Sequence, residues 1–124
     1  MVLVDTSVWV DHLRNGHAGL SDLLNEGVVA CHPFVIGELA CGGLKNRVEI
    51  LSLLQTLPAA IVANHKEVMS FIEDHKFMNR GMGYIDVSLL ASALLTGIPI
   101  WSLDKKLGQT SKGLGLAFEN EKRR

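Results

Sequence analysis

The sequence has little cysteine and no long apolar run, and both absences narrow the class of protein. Cys31 and Cys41 are its only cysteines, and they form neither a C-x-x-C pair nor a disulfide framework. Two reduced, packed thiols in a cytoplasmic protein are therefore expected. No apolar stretch reaches the roughly 18–20 residues of a membrane-spanning helix. Residues 1–5 lack the positively charged start of a signal peptide.

A surplus of charge of one sign is also missing. The 124 residues include 12 Lys and Arg, 13 Asp and Glu and five His, which gives a formal net charge of −1. This balance argues against an overtly basic nucleic-acid-binding protein. Apolar residues make up 48% and charged residues 20% of the chain, a composition typical of a folded protein. The length predicts one domain over residues 1–124, with residues 120–124 as a frayed, charged tail.

Short apolar runs alternate with helical patterns along the chain. The helices are predicted from their apolar periodicity and from start and stop signals, such as the Asn64…Glu67 capping box and Gly97. Thr6 or Ser7 is expected to cap the first helix. The alternation predicts an α/β fold, a three-layer α/β/α sandwich around a mainly parallel sheet. The predicted strands lie at residues 2–4, 28–31, 59–63, 98–103 and 114–118.

Acidic residues occupy positions where catalytic groups collect in such folds. Sites in open α/β sheets lie beyond the carboxyl ends of the strands, and Asp5 and Asp104 each follow a predicted strand. Ser102 lies two residues before Asp104, so an extended segment would place both side chains on one side. Glu38 lies among apolar neighbours, where burial of a lone carboxylate costs several kcal/mol. Asp86 is at the start of the most apolar helix.

Each of these acids also has a structural explanation. Asp5 and Asp104 could cap the helices that follow them. Glu38 could face solvent, and Asp86 could interact with the dipole of its own helix. If the four carboxylates converge instead, their repulsion calls for a cation, and Mg²⁺ or Mn²⁺ prefers carboxylate and phosphate oxygens. Spacing alone leaves both possibilities open.

Several other catalytic patterns are absent. The sequence contains no G-x-x-x-x-G-K-[ST] phosphate loop, no G-x-S-x-G nucleophile elbow and no H-E-x-x-H zinc pair. An Asp-based phosphotransfer enzyme or receiver-like domain stays open, because it also places an aspartate after a strand. Against it, Asp5 lacks the second aspartate that a haloacid-dehalogenase-like phosphatase needs two residues later. A non-enzymatic interaction module with incidental acids is the remaining alternative.

Four segments carry a resemblance to a known family. They are Val4-Asp5-Thr6-Ser7-Val8-Trp9, Val35-Ile36-Gly37-Glu38-Leu39, Gly83-Tyr84-Ile85-Asp86 and Trp101-Ser102-Leu103-Asp104-Lys105-Lys106-Leu107. In this order and at this spacing they resemble the PIN-domain ribonucleases, most of all the VapC toxins of toxin–antitoxin pairs. The resemblance implies a compact α/β/α domain with Mg²⁺- or Mn²⁺-dependent endoribonuclease activity. The implied substrate is structured RNA, especially tRNA, whose phosphodiester bonds are hydrolysed so that translation stops.

The resemblance also implies roles for individual residues. By motif match, the acidic cluster that holds the metal would be Asp5, Glu38, Asp86 and Asp104, of which the fourth is the least uniform position in such domains. Ser102 matches a hydroxyl position that would support the metal or its water, and Ser7 matches a small polar position that would orient the Asp5 carboxylate. Candidate contacts to RNA phosphates are Arg14, Arg80, Lys105, Lys106 and Lys112.

The implied partners are a cognate antitoxin protein, an RNA substrate and a second copy of the chain. The family usually works as a homodimer, and its antitoxin lays a C-terminal segment over the site.

An RNA substrate also changes the meaning of the charge balance. With the four site acids neutralised by metal, nine acids remain against 12 Lys and Arg. We therefore expect recognition by local shape and metal–phosphate contact rather than by strong non-specific attraction.

Overall fold

The computed structural model describes residues 1–119 and confirms the alternation of strands and helices. The predicted tail at 120–124 lies outside the described residues. The strands are β1 (Val2–Val4), β2 (Val29–Ala30) and β3 (Ile100–Trp101). The helices are α1 (Thr6–Asn15), α2 (Ala18–Asn25), α3 (Pro33–Ala40), α4 (Arg47–Thr56), α5 (His65–His75), α6 (Tyr84–Thr96) and α7 (Lys105–Gly113).

The strands form a parallel sheet in the order β2-β1-β3. Single parallel bridges extend it at both edges, from Cys31 to Ala59 and from Ile100 to Ala117. Leu3 and Val4 of the central strand are fully buried. They pack in one core with the most apolar helix, α6, which is buried continuously from Val87 to Ala93. The expected mainly parallel α/β architecture is therefore confirmed.

Four of the five predicted strands are longer than the strand or single bridge observed there, and in three of them backbone groups bond elsewhere. In the segment 59–63, Ile61 and Ala63 donate their N–H groups to the hydroxyls of Thr96 and Ser92 on α6. The segment 114–116 bonds back to the last carbonyls of α7. The segment 98–103 is strand only at β3, and the N–H of Leu103 goes to a serine hydroxyl. Side chains and a helix end thus replace the sheet hydrogen bonds.

The order of the strands explains where a site can form. From β1 the chain moves outward to β2 and then to Ala59, and afterwards it crosses back to β3 on the other side of β1. Because parallel crossovers are right-handed, α1–α4 lie on one face and α5–α7 on the other. In agreement, α3 packs on α1 and α4, and α5 packs on α6. Open α/β sheets bind ligands at such a reversal, beyond the carboxyl ends of β1 and β3.

His32 follows β2 and has a structural role. It is fully buried at the N-cap of α3, where Nδ1 accepts the N–H of Phe34 at 3.0 Å. Nε2 therefore carries the proton and donates it to Ser92 Oγ at 3.1 Å, which joins α3 to α6. Burial lowers the pKa of this imidazole below its ordinary value, so it stays neutral and keeps both hydrogen bonds.

Candidate metal centre

Asp5 is the centre of the candidate site. It directly follows β1, is only 5% exposed and occupies the N-cap position of α1 without capping the helix through its side chain. Its Oδ2 instead accepts hydrogen bonds from Ser7 Oγ at 2.8 Å and from Ser102 Oγ at 2.7 Å. The expectation that Thr6 or Ser7 caps α1 is wrong, because Asp5 holds that position and the Ser7 hydroxyl turns to its carboxylate.

Ser7 and Ser102 link the ends of β1 and β3 through hydrogen bonds. Their hydroxyl oxygens lie 3.3 Å apart. Each hydroxyl donates to Asp5 and accepts a backbone N–H from the segment after β3, from Leu103 to Ser7 at 2.9 Å and from Asp104 to Ser102 at 3.0 Å. Each serine hydroxyl thus donates one hydrogen bond and accepts another, and together they orient the Asp5 carboxylate between the ends of β1 and β3.

Glu38 reaches the site from α3. Val35 and Leu39 turn inward, whereas Glu38 is exposed and its Oε1 accepts a hydrogen bond from Thr6 Oγ1 at 2.7 Å. The expected cost of burial therefore does not arise, because the helix turns this carboxylate outward. Thr6 is the residue next to Asp5, so the hydrogen bond directs Glu38 toward the carboxyl end of β1.

Asp86 lies in the first turn of α6, and its Oδ2 accepts the N–H of Gly83 at 3.2 Å. The pKa of this half-buried carboxyl group is raised. Burial is the largest cause, the Gly83 hydrogen bond opposes it, and the charges of Asp5, Asp104 and Glu38 add to the increase. The four acids, which lie far apart in the sequence, thus share one electrostatic neighbourhood.

Asp104 combines two of the interpretations open from the sequence. It is the N-cap of α7, and its Oδ1 accepts the N–H of Leu107 at 2.9 Å. The predicted capping role is therefore observed. Its negative charge still raises the pKa of Asp86, so the residue contributes to the site while one of its oxygens holds the helix.

The basic residues lie at different distances from the carboxylates. Lys105 is exposed in the first turn of α7, directly after Asp104. Arg14 lies at the far end of α1, about 12 Å from the first turn, and lines a groove of ≈ 540 Å³ that also contains Glu38. The Arg80 guanidinium stacks over the Phe77 ring, 5.7 Å from its centroid. Lys112 lies in the last turn of α7, away from the site.

Lys106 crosses the loop that precedes α6. Gly81 in this loop has φ +78°, and a Cβ there would collide with the Lys106 side chain. The positive φ favours glycine, whereas the flexible end of the Lys106 side chain can move aside. The contact joins the start of α7 to the loop that leads to Asp86.

The donor set fits a hard divalent cation. Within residues 1–119, no three His, Cys, Asp or Glu side chains are drawn together closely enough to hold an ion by themselves. Mg²⁺ rarely needs such a cage, because it keeps several waters and is bound through one or two carboxylates plus substrate phosphates. Carboxylates that repel each other but do not form a closed cage match that mode of binding. Both hydrogen bonds to the Asp5 carboxylate use Oδ2, so Oδ1 is the oxygen that would bind the ion.

Comparison with known proteins identifies the class. The sequence profile of the PIN domain family matches residues 2–113, so the chain belongs to the PIN domain family. It is 42% identical over 122 residues to Ribonuclease VapC32 from Mycobacterium tuberculosis, in the strains CDC 1551 / Oshkosh and ATCC 25618 / H37Rv, with 98% of each chain covered. The resemblance carried by the four sequence segments is confirmed.

A solved structure shows the same fold. PAE2754 from Pyrobaculum aerophilum superposes with a TM-score of 0.61 at 18% sequence identity, over 90% of this chain and 80% of that one. The three-layer PIN-like architecture expected from the sequence is therefore confirmed. Within the part of the chain that the structure describes, no helix is long and apolar enough to cross a membrane.

Two parts of the site did not follow from the sequence reasoning. Thr6 holds Glu38, and Lys106 packs over Gly81. A hydroxyl residue next to Asp5 and a glycine in the loop before Asp86 are visible in the sequence. Their partners, Glu38 and Lys106, follow only from the tertiary structure.

Proposed function

We propose that this chain is a divalent-metal-dependent endoribonuclease, the toxin of a toxin–antitoxin pair, that hydrolyses phosphodiester bonds in RNA and so inhibits translation. The observation that carries the proposal is the Asp5 carboxylate, which Ser7 and Ser102 hold where the strand order reverses. The charges of Asp5, Glu38 and Asp104 also raise the pKa of Asp86, so the four acids lie near one another. Membership of the PIN domain family and the relationship to Ribonuclease VapC32 support the same chemistry. Structured RNA such as tRNA is the proposed substrate, in the cytoplasm.

Asp5, Asp86 and Glu38 are the residues proposed to hold the ion, which we take to be Mg²⁺ or Mn²⁺. A bound divalent ion supplies activation of water and neutralises charge on the phosphodiester during displacement. Ser7 and Ser102 position Asp5, and Thr6 positions Glu38. Asp104 adds negative charge while it caps α7, so we propose it as the fourth residue of the acidic cluster that would hold the ion.

The phosphate contacts are proposed to come from both sides of the carboxylates. Lys105 lies beside Asp104, and Arg80 lies in the loop before α6. Arg14 is suited to a more distant phosphate because it lies along the groove that begins at Glu38. Such contacts position RNA without reading its sequence.

The partner proposed to neutralise the enzyme is an antitoxin protein. The groove beside Glu38 runs between α1, α3 and α4 and combines apolar residues such as Leu13 and Ile50 with Arg14 and Lys45. An extended or helical segment of a small protein laid in this groove would cover one of the proposed metal-binding residues. We propose that the active form is a homodimer.

A pair of matched substitutions tests the proposed function. Asp5→Asn removes the central carboxylate charge, whereas Asp11→Asn makes the same change in α1, where the Asp11 side chain accepts a hydrogen bond from Asn15. We expect the wild type and Asp11→Asn to cleave tRNA in Mg²⁺ and to stop when a chelator is added, and Asp5→Asn to be inactive but folded. Cleavage by Asp5→Asn at the wild-type rate would contradict the site.

The two alternatives from the sequence predict other outcomes. A phosphotransfer enzyme would form a stable acyl-phosphate on Asp5 during incubation with acetyl phosphate, which mass spectrometry detects. A non-enzymatic module would neither bind divalent ions in calorimetry nor cut RNA. Family membership favours the nuclease over both.

A further inference from the structure

The cap of α3 is a buried histidine, which is an uncommon choice for this position. All five histidines lie within residues 1–119, and only His32 among them is fully buried. Helix caps are usually Ser, Thr, Asn or Asp, whose short side chains suffice to accept an N–H of the first turn. His32 accepts the N–H of Phe34 through Nδ1 at 3.0 Å. Capping therefore explains one nitrogen of the imidazole and leaves the other to be explained.

The second nitrogen joins α3 to α6. Because Nδ1 accepts a hydrogen bond, Nε2 carries the proton, and it lies 3.1 Å from the hydroxyl oxygen of Ser92. The same hydroxyl accepts the N–H of Ala63 at 3.1 Å, in the segment that continues from the bridge between Cys31 and Ala59. One serine in the middle of α6 therefore holds both the cap of α3 and the edge of the sheet.

This link is shielded from water. His32 and Ser92 are both 0% exposed, and the ring of Phe34 packs against the imidazole with 5.1 Å between the centroids. Breaking the bond would leave a buried N–H without a partner, and water cannot take its place without opening the core. The start of α3 and the middle of α6 are therefore expected to move as one unit.

The two linked helices carry two of the proposed metal-binding residues. Glu38 follows His32 by six residues on α3. Asp86 precedes Ser92 by six residues on α6, so each carboxylate lies about 9 Å along its helix from the link. α3 packs mainly on α1 and α4, whereas α6 packs mainly on α5 and β3. Within the described part of the chain, the bond from His32 to Ser92 is the only side-chain hydrogen bond between α3, with its cap, and α6.

We propose that His32 is a positioning residue, whose bond to α6 sets the separation of the Glu38 and Asp86 carboxylates and thereby the affinity of the site for a divalent ion. This inference rests on the proposed metal-dependent function. Glu38 and Asp86 each accept one hydrogen bond, so their placement depends largely on the helices that carry them. Mg²⁺ demands near-ideal octahedral geometry, so a small shift between the two helices weakens its binding.

Two substitutions of His32 separate the link from the cap. Asparagine is a preferred cap residue, so His32→Asn keeps the cap of α3 but is too short to reach Ser92. Glutamine is longer and carries a terminal N–H, so His32→Gln reaches Ser92 and gives up the cap. Ser92→Ala cuts the same link from α6 and provides the test if His32→Asn does not fold.

Ser88→Ala is the matched control on the same helix. Ser88 is also buried, at 1% exposed, and its hydroxyl donates to the carbonyl of Tyr84 at 2.7 Å within α6. The change therefore removes a buried serine hydroxyl without touching the connection to α3. Binding of Mg²⁺ and of Mn²⁺ to each metal-free protein is measured by calorimetry, and thermal unfolding in a chelator measures stability.

The link and the cap should affect different quantities. We expect His32→Asn and Ser92→Ala each to raise Kd for the ion about 3–30-fold, and the double variant to raise it no further than either one. Kd for His32→Gln and Ser88→Ala should stay within about twofold of the wild type, although His32→Gln should unfold about 3–8 °C lower because the cap is lost. A merely structural role of His32 would instead weaken metal binding in proportion to the loss of stability.

A further variant tests whether His32 acts through Glu38. In a Glu38→Gln background the carboxylate that the link positions is gone, so adding His32→Asn should change Kd by less than about twofold. The inference is overturned if His32→Asn and Ser92→Ala bind the ion as the wild type does, or if His32→Asn loses the same factor with and without Glu38. If the wild type binds neither ion, the proposed function fails as well, which is a different result from normal binding in all variants.

Discussion

The carboxylates of the site fall into two regions that are held very differently. Asp5 is nearly buried, and two serine hydroxyls tie it to both central strands. Glu38 is exposed and Asp86 half-buried, and each accepts one hydrogen bond, from Thr6 and from Gly83. The first region is therefore organised before any ion arrives. The second is held by fewer bonds, which would let charges that repel each other in the free protein close on the proposed cation.

The largest expected effect comes from the first region, the Asp5 carboxylate with its two serines. Asp5→Asn should reduce RNA cleavage at least about 100-fold, because it removes the charge that the two serines hold in place. Asp104→Asn should reduce cleavage much less, since asparagine can still cap α7 through its oxygen. Initial rates on tRNA in Mg²⁺ measure both. Equal losses in the two variants would show that Asp104 is as central as Asp5.

Removing single hydroxyls compares the supports of the two regions. Ser7→Ala takes away a donor to Asp5 and the acceptor for the Leu103 N–H, so we expect a loss of about 10–100-fold in activity and about 1–3 kcal/mol in stability. Thr6→Val removes only the hydrogen bond to an exposed Glu38, and less than about 1 kcal/mol should be lost. Urea unfolding and cleavage rates give the two quantities. A larger effect of Thr6→Val would reverse the comparison.

The loop before Asp86 can be tested through its glycine. Gly81→Ala places a Cβ at φ +78° and displaces the Lys106 side chain, which should cost about 1–2 kcal/mol. Gly108→Ala is the matched control in α7, because nothing lies within 4 Å of its Cβ position. In a helix interior this change should stabilise by about 0.5–1 kcal/mol. Thermal unfolding of both variants checks the opposite signs, and stabilisation by Gly81→Ala would contradict the positive φ of this residue.

The smallest expected effect is that of Asp86 on the stability of the folded protein. The pKa of Asp86 is raised by burial and by the neighbouring acids, so the folded protein holds this proton more strongly than the unfolded chain does. The resulting stability is present below the ordinary aspartate pKa of about 3.9 and is lost as the pH rises through the higher folded value. In a chelator at pH 7, Asp86→Asn should therefore be more stable than the wild type.

Because Asp86 is half-exposed, solvent screening limits this gain to less than about 1 kcal/mol. Urea unfolding of both proteins from pH 4 to pH 7 measures it, and the difference should grow with pH. Added Mg²⁺ should stabilise the wild type and leave Asp86→Asn nearly unchanged. If Asp86→Asn is less stable than the wild type at pH 7, the charge of Asp86 does not destabilise the metal-free protein.

Much of the local structure was predictable because its signals are local. The Asn64…Glu67 capping box and the Gly97 stop of α6 are both observed. The lengths of the sheet segments were not predictable, because hydroxyls on α6 compete with sheet hydrogen bonds in residues 59–63. Asp104 shows the limit most clearly, since it caps α7 and its charge also raises the pKa of Asp86.

The sequence by itself determined which residues stand at the ends of the strands and at the starts of the helices, because apolar period, capping and turn residues act over a few positions. The order of the four acidic segments was also enough to indicate the PIN domain family. Only the tertiary structure decided that these acids share one electrostatic neighbourhood and that Ser102 holds Asp5 across a separation of 97 residues. The physical reason is that such contacts depend on strand order and crossover handedness, which no short segment of the chain contains.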